Sequence, residues 1–92
     1  MNLLQVISSL SEYDEEQTIY AKEPWCPESE AIVRAEPDDG FLPSDARGKG
    51  LAYFLEIFVA KEFLEGWAAA RSRAPSAEEK ARRLIEYAVN DA

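Results

Sequence analysis

The chain has 92 residues, a formal net charge of −8, one cysteine and no histidine. This length suits one domain, which we predict to span residues 1–92. The lone Cys26 excludes an intramolecular disulfide, and zinc sites built from paired cysteines and histidines are excluded as well. No segment reaches the roughly 18 apolar residues of a membrane span, and residues 1–10 lack the basic start of a signal peptide, so we predict a cytoplasmic protein.

The first ten residues carry the pattern of an amphipathic helix. Asn2 precedes Gln5 by three residues, which is the spacing of a capping box, where each side chain binds the backbone N–H of the other residue. We therefore predict a helix over residues 3–12. Its apolar stripe comprises Leu3, Leu4, Val6, Ile7 and Leu10.

Two segments downstream favour short β-strands. Residues 18–21 and 31–36 contain the β-branched and aromatic side chains that strands prefer. Pro24 and Pro27 predict a loop between the two strands, because proline cannot donate a hydrogen bond to a β-ladder. Residues 37–40 combine proline, aspartate and glycine, a composition typical of a tight turn.

The segment before the next apolar run has a weaker pattern. Pro43 opens a predicted helical turn over residues 43–46. Gly48 and Gly50 then predict a flexible exit from that turn, since glycine has the least restricted backbone.

Residues 51–67 allow two interpretations. One long buried helix would place charged and apolar side chains on the same face, so we prefer a strand over residues 51–58 followed by a helix that reaches Trp67. The near-continuous apolar run is typical of a central strand. The predicted strand places Tyr53, Leu55 and Ile57 on one face, and Phe54 and Phe58 on the other.

The last segment predicts another capped helix. Ser76 and Glu79 have the spacing of a second capping box, after a connector over residues 71–75. The order of elements indicates an α+β fold, in which a helix and three short strands precede two C-terminal helices packed on a small sheet. The inner face of the last helix comprises Ala81, Leu84, Ile85 and Ala88.

Enzymatic chemistry lacks its usual residues. Without histidine, the common general base near neutral pH is missing. Glu56 is the best catalytic candidate because it interrupts an apolar strand, but a carboxylate at a strand edge, or one paired with Arg34 or Lys61, is the simpler interpretation. Cys26 has acidic neighbours, which do not favour a reactive thiolate. We predict no catalytic residue, no metal ligand and no cofactor.

The segment over residues 11–40 carries ten acidic and two basic side chains, a difference equal to the whole net charge. Its field would steer basic surfaces toward the protein and oppose direct binding to nucleic acid. Trp25 is a candidate apolar anchor within this segment, the alternative being that it packs in the core and that the acids maintain solubility. The predicted partner-binding residues are Asp14, Glu15, Glu16, Glu23, Trp25, Glu28, Glu30, Asp38 and Asp39.

Short motifs spread over nearly the full length carry a resemblance to other sequences. They are Thr18-Ile19-Tyr20-Ala21-Lys22, Pro24-Trp25, Ser29-Glu30-Ala31-Ile32, Tyr53-Phe54-Leu55-Glu56, Lys61-Glu62, Trp67, Tyr87-Ala88 and Asn90-Asp91. In these motifs the chain resembles a small, uncharacterised bacterial family of acidic single-domain proteins. The resemblance implies a bacterial, cytoplasmic protein, and it brings no defined activity and no site residue.

Together these patterns favour a non-enzymatic binding protein that engages a basic protein partner. The immunity proteins and the inhibitors that imitate the charge of nucleic acid act in this manner. We expect neither direct nucleic-acid binding nor membrane binding. The alternative is a homodimeric structural or accessory subunit, held together by apolar surface from residues 51–67. A small basic region is interpreted as a solvated helix surface, or as a site of self-association with the acidic segment: Arg71, Arg73, Lys80, Arg82 and Arg83.

Overall fold

Helices and strands follow one another in the order that the sequence predicts, and a short helix stands where a helical turn is predicted between the second and third strands. The computed structural model describes residues 1–37 and 42–90. The predicted α+β fold is confirmed. The described elements are α1 (Leu3–Ser8), a 3-10 turn (Leu10–Glu12), β1 (Gln17–Ala21), β2 (Ala31–Ala35), α2 (Ser44–Lys49), β3 (Ala52–Glu56), α3 (Ile57–Ala69) and α4 (Ala77–Asn90).

The three strands form one antiparallel sheet in the order β2-β1-β3. β1 is the central strand, and its residues 18–21 are all buried. The expectation that residues 51–58 form a central strand is therefore wrong, because β3 lies at an edge of the sheet. Its apolar run has a different cause: the run continues into α3, whose first residue, Ile57, is fully buried.

A β-bulge explains why the predicted alternation of β3 fails. Ile19 lies opposite Leu55 and Tyr20 lies opposite Tyr53, so Phe54 is an extra residue between the two pairs. Both Phe54 and Leu55 consequently pack into the same buried cluster instead of facing opposite sides. The strand ends at Glu56 rather than at residue 58, and the alternative of one long helix over residues 51–67 is excluded.

Side chains from the two faces of the sheet enter separate buried clusters. Ile19 and Val33 face the larger cluster, which α1, α3 and α4 cover with residues such as Leu3, Leu64 and Leu84. The opposite face carries the smaller cluster, because successive side chains of a strand point to opposite sides. That cluster comprises Tyr20, Ile32, Ala46 and Leu51, with Ala46 supplied by α2.

The N-terminal helix is shorter than the predicted helix over residues 3–12. The predicted capping box is present, since the Asn2 side chain accepts from the Gln5 N–H at 2.9 Å and the Gln5 side chain accepts from the Asn2 N–H at 2.9 Å. α1 then ends at Ser8, whose hydroxyl donates to the Leu4 carbonyl at 2.7 Å. Such back-bonding competes with the regular helix, and the chain continues as a 3-10 turn.

α2 is longer than the single turn predicted for residues 43–46. Gly48 lies within this helix, so the predicted flexible exit at Gly48 is wrong. Gly50 ends the helix with φ of 72°, a left-handed conformation that glycine adopts without steric cost. Its N–H donates to the Arg47 carbonyl at 3.2 Å, which fixes the end of the helix.

The start of α4 carries the second predicted capping box. The Ser76 N–H donates to Glu79 Oε1 at 2.9 Å, and the Glu79 N–H donates to the Ser76 hydroxyl at 3.1 Å. Arg73 also binds the Glu79 carboxylate through two nitrogens, at 2.9 and 3.1 Å. These bonds from Arg73 and from the Ser76 N–H lower the pKa of Glu79 to about 2, from an ordinary value of 4.5.

We expect Glu79→Gln to destabilise the protein at neutral pH and to lose this effect in acid. The pKa of Glu79 is lower in the folded state, so its contribution is complete above pH 4.5 and disappears as the pH falls toward about 2. Urea denaturation across this pH range measures the free energy of unfolding. Glu78→Gln is the matched control, because Glu78 pairs only with Arg82 on the helix surface among the described residues. An equal pH dependence in both variants would contradict the role of the cap.

Candidate partner-binding surface

Antiparallel pairing gathers carboxylates at one end of the sheet. Gln17 at the start of β1 lies opposite Ala35 at the end of β2, and Thr18 lies opposite Glu56 at the end of β3. The turn before β1 therefore meets the ends of both neighbouring strands. We call this surface the acidic end, and it comprises Asp14, Glu15, Glu16, Glu36 and Glu56.

Three more of the predicted acids lie at the opposite end of β1. Ala21 pairs with Ala31 there, next to the loop that joins β1 and β2. We call the acids of this loop, Glu23, Glu28 and Glu30, the loop end. Four residue steps of about 3.3 Å separate the two ends of β1, a distance of about 13 Å. This exceeds the physiological screening length of about 8 Å, so a partner would meet two separate acidic groups.

The acidic side chains of both groups are poorly compensated by cations. Among residues 1–37 and 42–90, Glu30 pairs with Lys49 at 3.1 Å, and Glu15 lies 4.0 Å from Lys61. Asp38 and Asp39 lie outside the described residues. The remaining predicted acids are exposed and make no ion pair within the described part of the chain: Asp14, Glu16, Glu23 and Glu28.

Most basic side chains of the C-terminal half, unlike these acids, have partners of opposite charge. Arg73 binds Glu79 at 2.9 Å, while Arg82 binds Glu78 at 3.0 Å. Arg71 reaches Glu79 and Arg83 binds Glu86, so four of the five cations of the basic region already have carboxylate partners in the same helical region. Local pairing neutralises most of this region, whereas in the described part of residues 11–40 only Glu15, Glu30 and Arg34 make ion pairs.

Tyr53 contributes an exposed aromatic ring near the acidic end. The residue is 43% exposed, and its ring meets the Tyr20 ring edge-on with centroids 6.4 Å apart. Partial burial raises the pKa of Tyr53, and the nearby charges of Glu56 and Glu36 raise it further. Glu36 also raises the pKa of the buried Tyr20, where burial is the larger cause. Glu36 therefore raises the pKa of both tyrosines, and Glu56 raises that of Tyr53.

Trp25 lies mainly in the core rather than on an open surface. Its ring is half-buried and meets the Phe54 ring edge-on with centroids 4.9 Å apart. The indole N–H donates to the Ala21 carbonyl at 3.1 Å, which ties the loop to the end of β1. These contacts favour the alternative that Trp25 packs in the core, and its role as a partner anchor stays a prediction.

The two catalytic candidates lie in the loop between β1 and β2 and at the end of β3. Cys26 is exposed, and its sulfur lies 3.6 Å from the Ser29 hydroxyl. Glu56 sits at the end of an edge strand and makes no ion pair among the described residues. Arg34 binds Asp45 instead. Within residues 1–37 and 42–90, no three potential metal-ligating side chains cluster together, and no helix has the length and apolarity to cross a bilayer.

Sequence reasoning did not include Glu36, Tyr53 and Glu56 among the binding residues. Glu36 is the last residue of the second predicted strand and Glu56 lies in the third, so the signal was present in their positions. These positions indicate a shared surface only when both strands are known to pair with β1, because that pairing brings the two strand ends together.

We expect Trp25 substitutions to reduce stability. Trp25→Phe removes the hydrogen bond to Ala21 at a cost of about 1 kcal/mol, and Trp25→Ala also removes the contact with Phe54, at about 3 kcal/mol. Chemical denaturation followed by far-ultraviolet circular dichroism measures both values. Val89→Ala is the control, since Val89 is 63% exposed. A Trp25→Ala cost no larger than that of Val89→Ala would show that the ring is not part of the core.

We also expect Glu56→Gln to lower the pKa of Tyr53. Removing the negative charge makes the tyrosinate easier to form, because Glu56 is the largest charge effect on this phenol. Nuclear magnetic resonance of the tyrosine rings during an alkaline titration measures the shift. Glu23→Gln, at the loop end, should leave Tyr53 unchanged. The same shift in both variants would argue against the local geometry of the acidic end.

In comparisons with protein-family models, curated proteins and solved structures, nothing matched this chain. The bacterial family resemblance and the cytoplasmic location therefore stay predictions.

Proposed function

We propose that this chain is a non-enzymatic protein whose acidic end binds a basic surface of another protein, in the manner of an inhibitor or an immunity protein. The observation that carries the proposal is the gathering of five carboxylates, from three separate segments, at one end of the sheet. Of these, only Glu15 has a lysine or arginine within 4.0 Å in the described part of the chain. A basic partner would supply the missing positive charges.

Hydrogen bonds order the turn before β1, which carries three of the five acids of this surface. The Glu16 N–H donates to the Asp14 carboxylate at 2.9 Å, and the Asp14 N–H donates to the Gln17 side chain at 3.1 Å. The Gln17 N–H donates to the Asp14 carbonyl at 3.0 Å. A turn ordered in this way before binding loses less conformational entropy when a partner docks.

Tyr53 is the aromatic anchor that this surface supports best. Its exposed ring lies in the field of Glu36 and Glu56. An arginine or lysine can bind a carboxylate and an aromatic face together, and tyrosine is enriched among the residues that dominate interface energies. Partner recognition of this kind is sensitive to salt because the surface charges are exposed.

A homodimer is the second candidate function. Within residues 51–67, Tyr53 is 43% exposed and Phe58 is 46% exposed, so apolar surface remains available in this segment. β3 is also an edge strand of the sheet. Edge strands offer backbone groups for pairing with a second chain. Light scattering at high protein concentration separates the two candidates, since a strict monomer excludes the homodimer.

Charge reversal at the two ends of β1 tests the binding proposal. We expect the triple variant Glu15→Lys, Glu16→Lys and Glu36→Lys to lose a basic partner that the wild-type protein retains from a cell lysate. Retention by wild type should fall as salt rises from about 0.1 M to about 1 M, where the screening length shrinks from about 10 Å to about 3 Å.

The matched control reverses the same number of charges at the loop end. The variant Glu23→Lys, Glu28→Lys and Glu30→Lys has the same net charge as the first variant, so total charge alone predicts equal losses. The proposal requires the control to keep the partner. It is wrong if both variants lose the partner equally, if neither loses it, or if salt has no effect. Circular dichroism verifies that both variants are folded.

A further inference from the structure

A groove between α3 and α4 is lined mainly by aromatic rings. It has a volume of about 220 Å³, and its lining comprises Phe58, Val59, Glu62, Phe63 and Tyr87. On α3, Phe58 lies one turn before Glu62, so the two side chains are neighbours on the helix surface. Tyr87 joins them from α4, where its ring stacks on the Phe63 ring with centroids 4.2 Å apart. The groove therefore places one carboxylate beside three aromatic rings.

The side chains of this groove keep surface that a ligand can cover. Phe58 is 46% exposed, and Glu62 is exposed as well. Val59, Phe63 and Tyr87 are half-buried, and they pack against the larger buried cluster. The floor of the groove is therefore ordered by contacts within the protein, while the Phe58 ring and the Glu62 carboxylate stay open to solvent. A ligand would cover this floor without the cost of ordering it.

The charge of the groove is negative. Among the described residues, Glu62 is the one charged side chain of the lining, and it makes no ion pair. Arg83 lies next to the groove, 5.0 Å from the centroid of the Phe63 ring, but its charge is balanced by Glu86 at 2.8 Å. The Arg83 contact also shows that this aromatic cluster already holds one cation, through the attraction between a positive charge and a ring face.

Aromatic rings and a carboxylate together favour a cationic ligand with an apolar surface. A primary ammonium has three N–H donors and is strongly hydrated, whereas a quaternary ammonium has no N–H group that needs an acceptor. The volume lies below the roughly 300 to 1,000 Å³ of sites for drug-sized ligands, which limits the ligand to a few heavy atoms. We propose that this groove binds a small, free quaternary ammonium compound, with its methyl groups against the Phe58 ring and its charge beside Glu62. The proposal is independent of the binding role of the acidic end.

Titration with choline, followed by nuclear magnetic resonance, tests the proposal. We expect choline to bind at one site per chain and its neutral carbon analogue, in which a tert-butyl group replaces the trimethylammonium group, to bind about tenfold more weakly. Ethanolamine should also bind about tenfold more weakly, because its primary ammonium is strongly hydrated. The proposal is overturned if either compound binds as tightly as choline, or if choline does not bind. Sedimentation of the protein with phosphatidylcholine vesicles would assign the groove to a lipid headgroup and would also overturn it.

Two matched pairs of substitutions separate the groove from general effects of charge and of exposed rings. Glu62→Gln should weaken choline binding about tenfold, whereas Glu65→Gln, an equal loss of charge on the same helix but outside this lining, should leave it unchanged. Phe58→Leu should also weaken binding about tenfold. Tyr53→Leu removes a ring that is 43% exposed on β3 and should have no effect. Equal effects within either pair, in variants that circular dichroism shows to be folded, would contradict the proposal.

Light scattering decides whether a second copy of the chain occupies the groove instead. We expect the mass of the protein to be the same in the wild type and in Phe58→Leu. A dimer that Phe58→Leu disrupts and choline does not would assign the Phe58 ring to an interface between copies, and the proposal would then be wrong.

Discussion

β1 pairs with β2 along one edge and with β3 along the other, and every other part of the structure is arranged around this central strand. The side chains of residues 18–21 are buried on both faces, so β1 needs cover from both sides. The helices α1, α3 and α4 supply one cover, and α2 supplies part of the other. A shift of register by one residue would turn the buried side chains of β1 to the wrong faces, which is why the pairing is well specified.

The same pairing determines how the molecule presents its charge. Strand ends that are far apart in the sequence meet at one end of the sheet, where Glu36 and Glu56 join the acids of the turn before β1. The loop end keeps its own acids about 13 Å away, along the five residues of β1. The described part of one acidic segment thus forms two surfaces, and one of them gains the carboxylate of Glu56 and the exposed Tyr53 from later in the chain.

Charged side chains in the C-terminal half are paired by helical spacing rather than by strand pairing. Helical spacing brings Glu78 to Arg82 and Arg83 to Glu86, so these pairs form between close neighbours in sequence. In the described part of the N-terminal half, Glu15 and Glu30 instead meet Lys61 and Lys49, which are distant in sequence. The protein consequently presents an acidic end at which, in the described part of the chain, only Glu15 has a lysine or arginine within 4.0 Å.

The sequence by itself determined the elements that depend on local interactions. Both capping boxes, the prolines of the loop and the inner face of α4 arise from residues within a few positions of each other, and all of them are recognisable from spacing alone. Tertiary structure decided the strand order, the bulge at Phe54, the placement of Trp25 against the core and the membership of the acidic end. These features depend on contacts between distant segments, and the pairing energy that selects them cannot be read from a local pattern of charge or hydrophobicity.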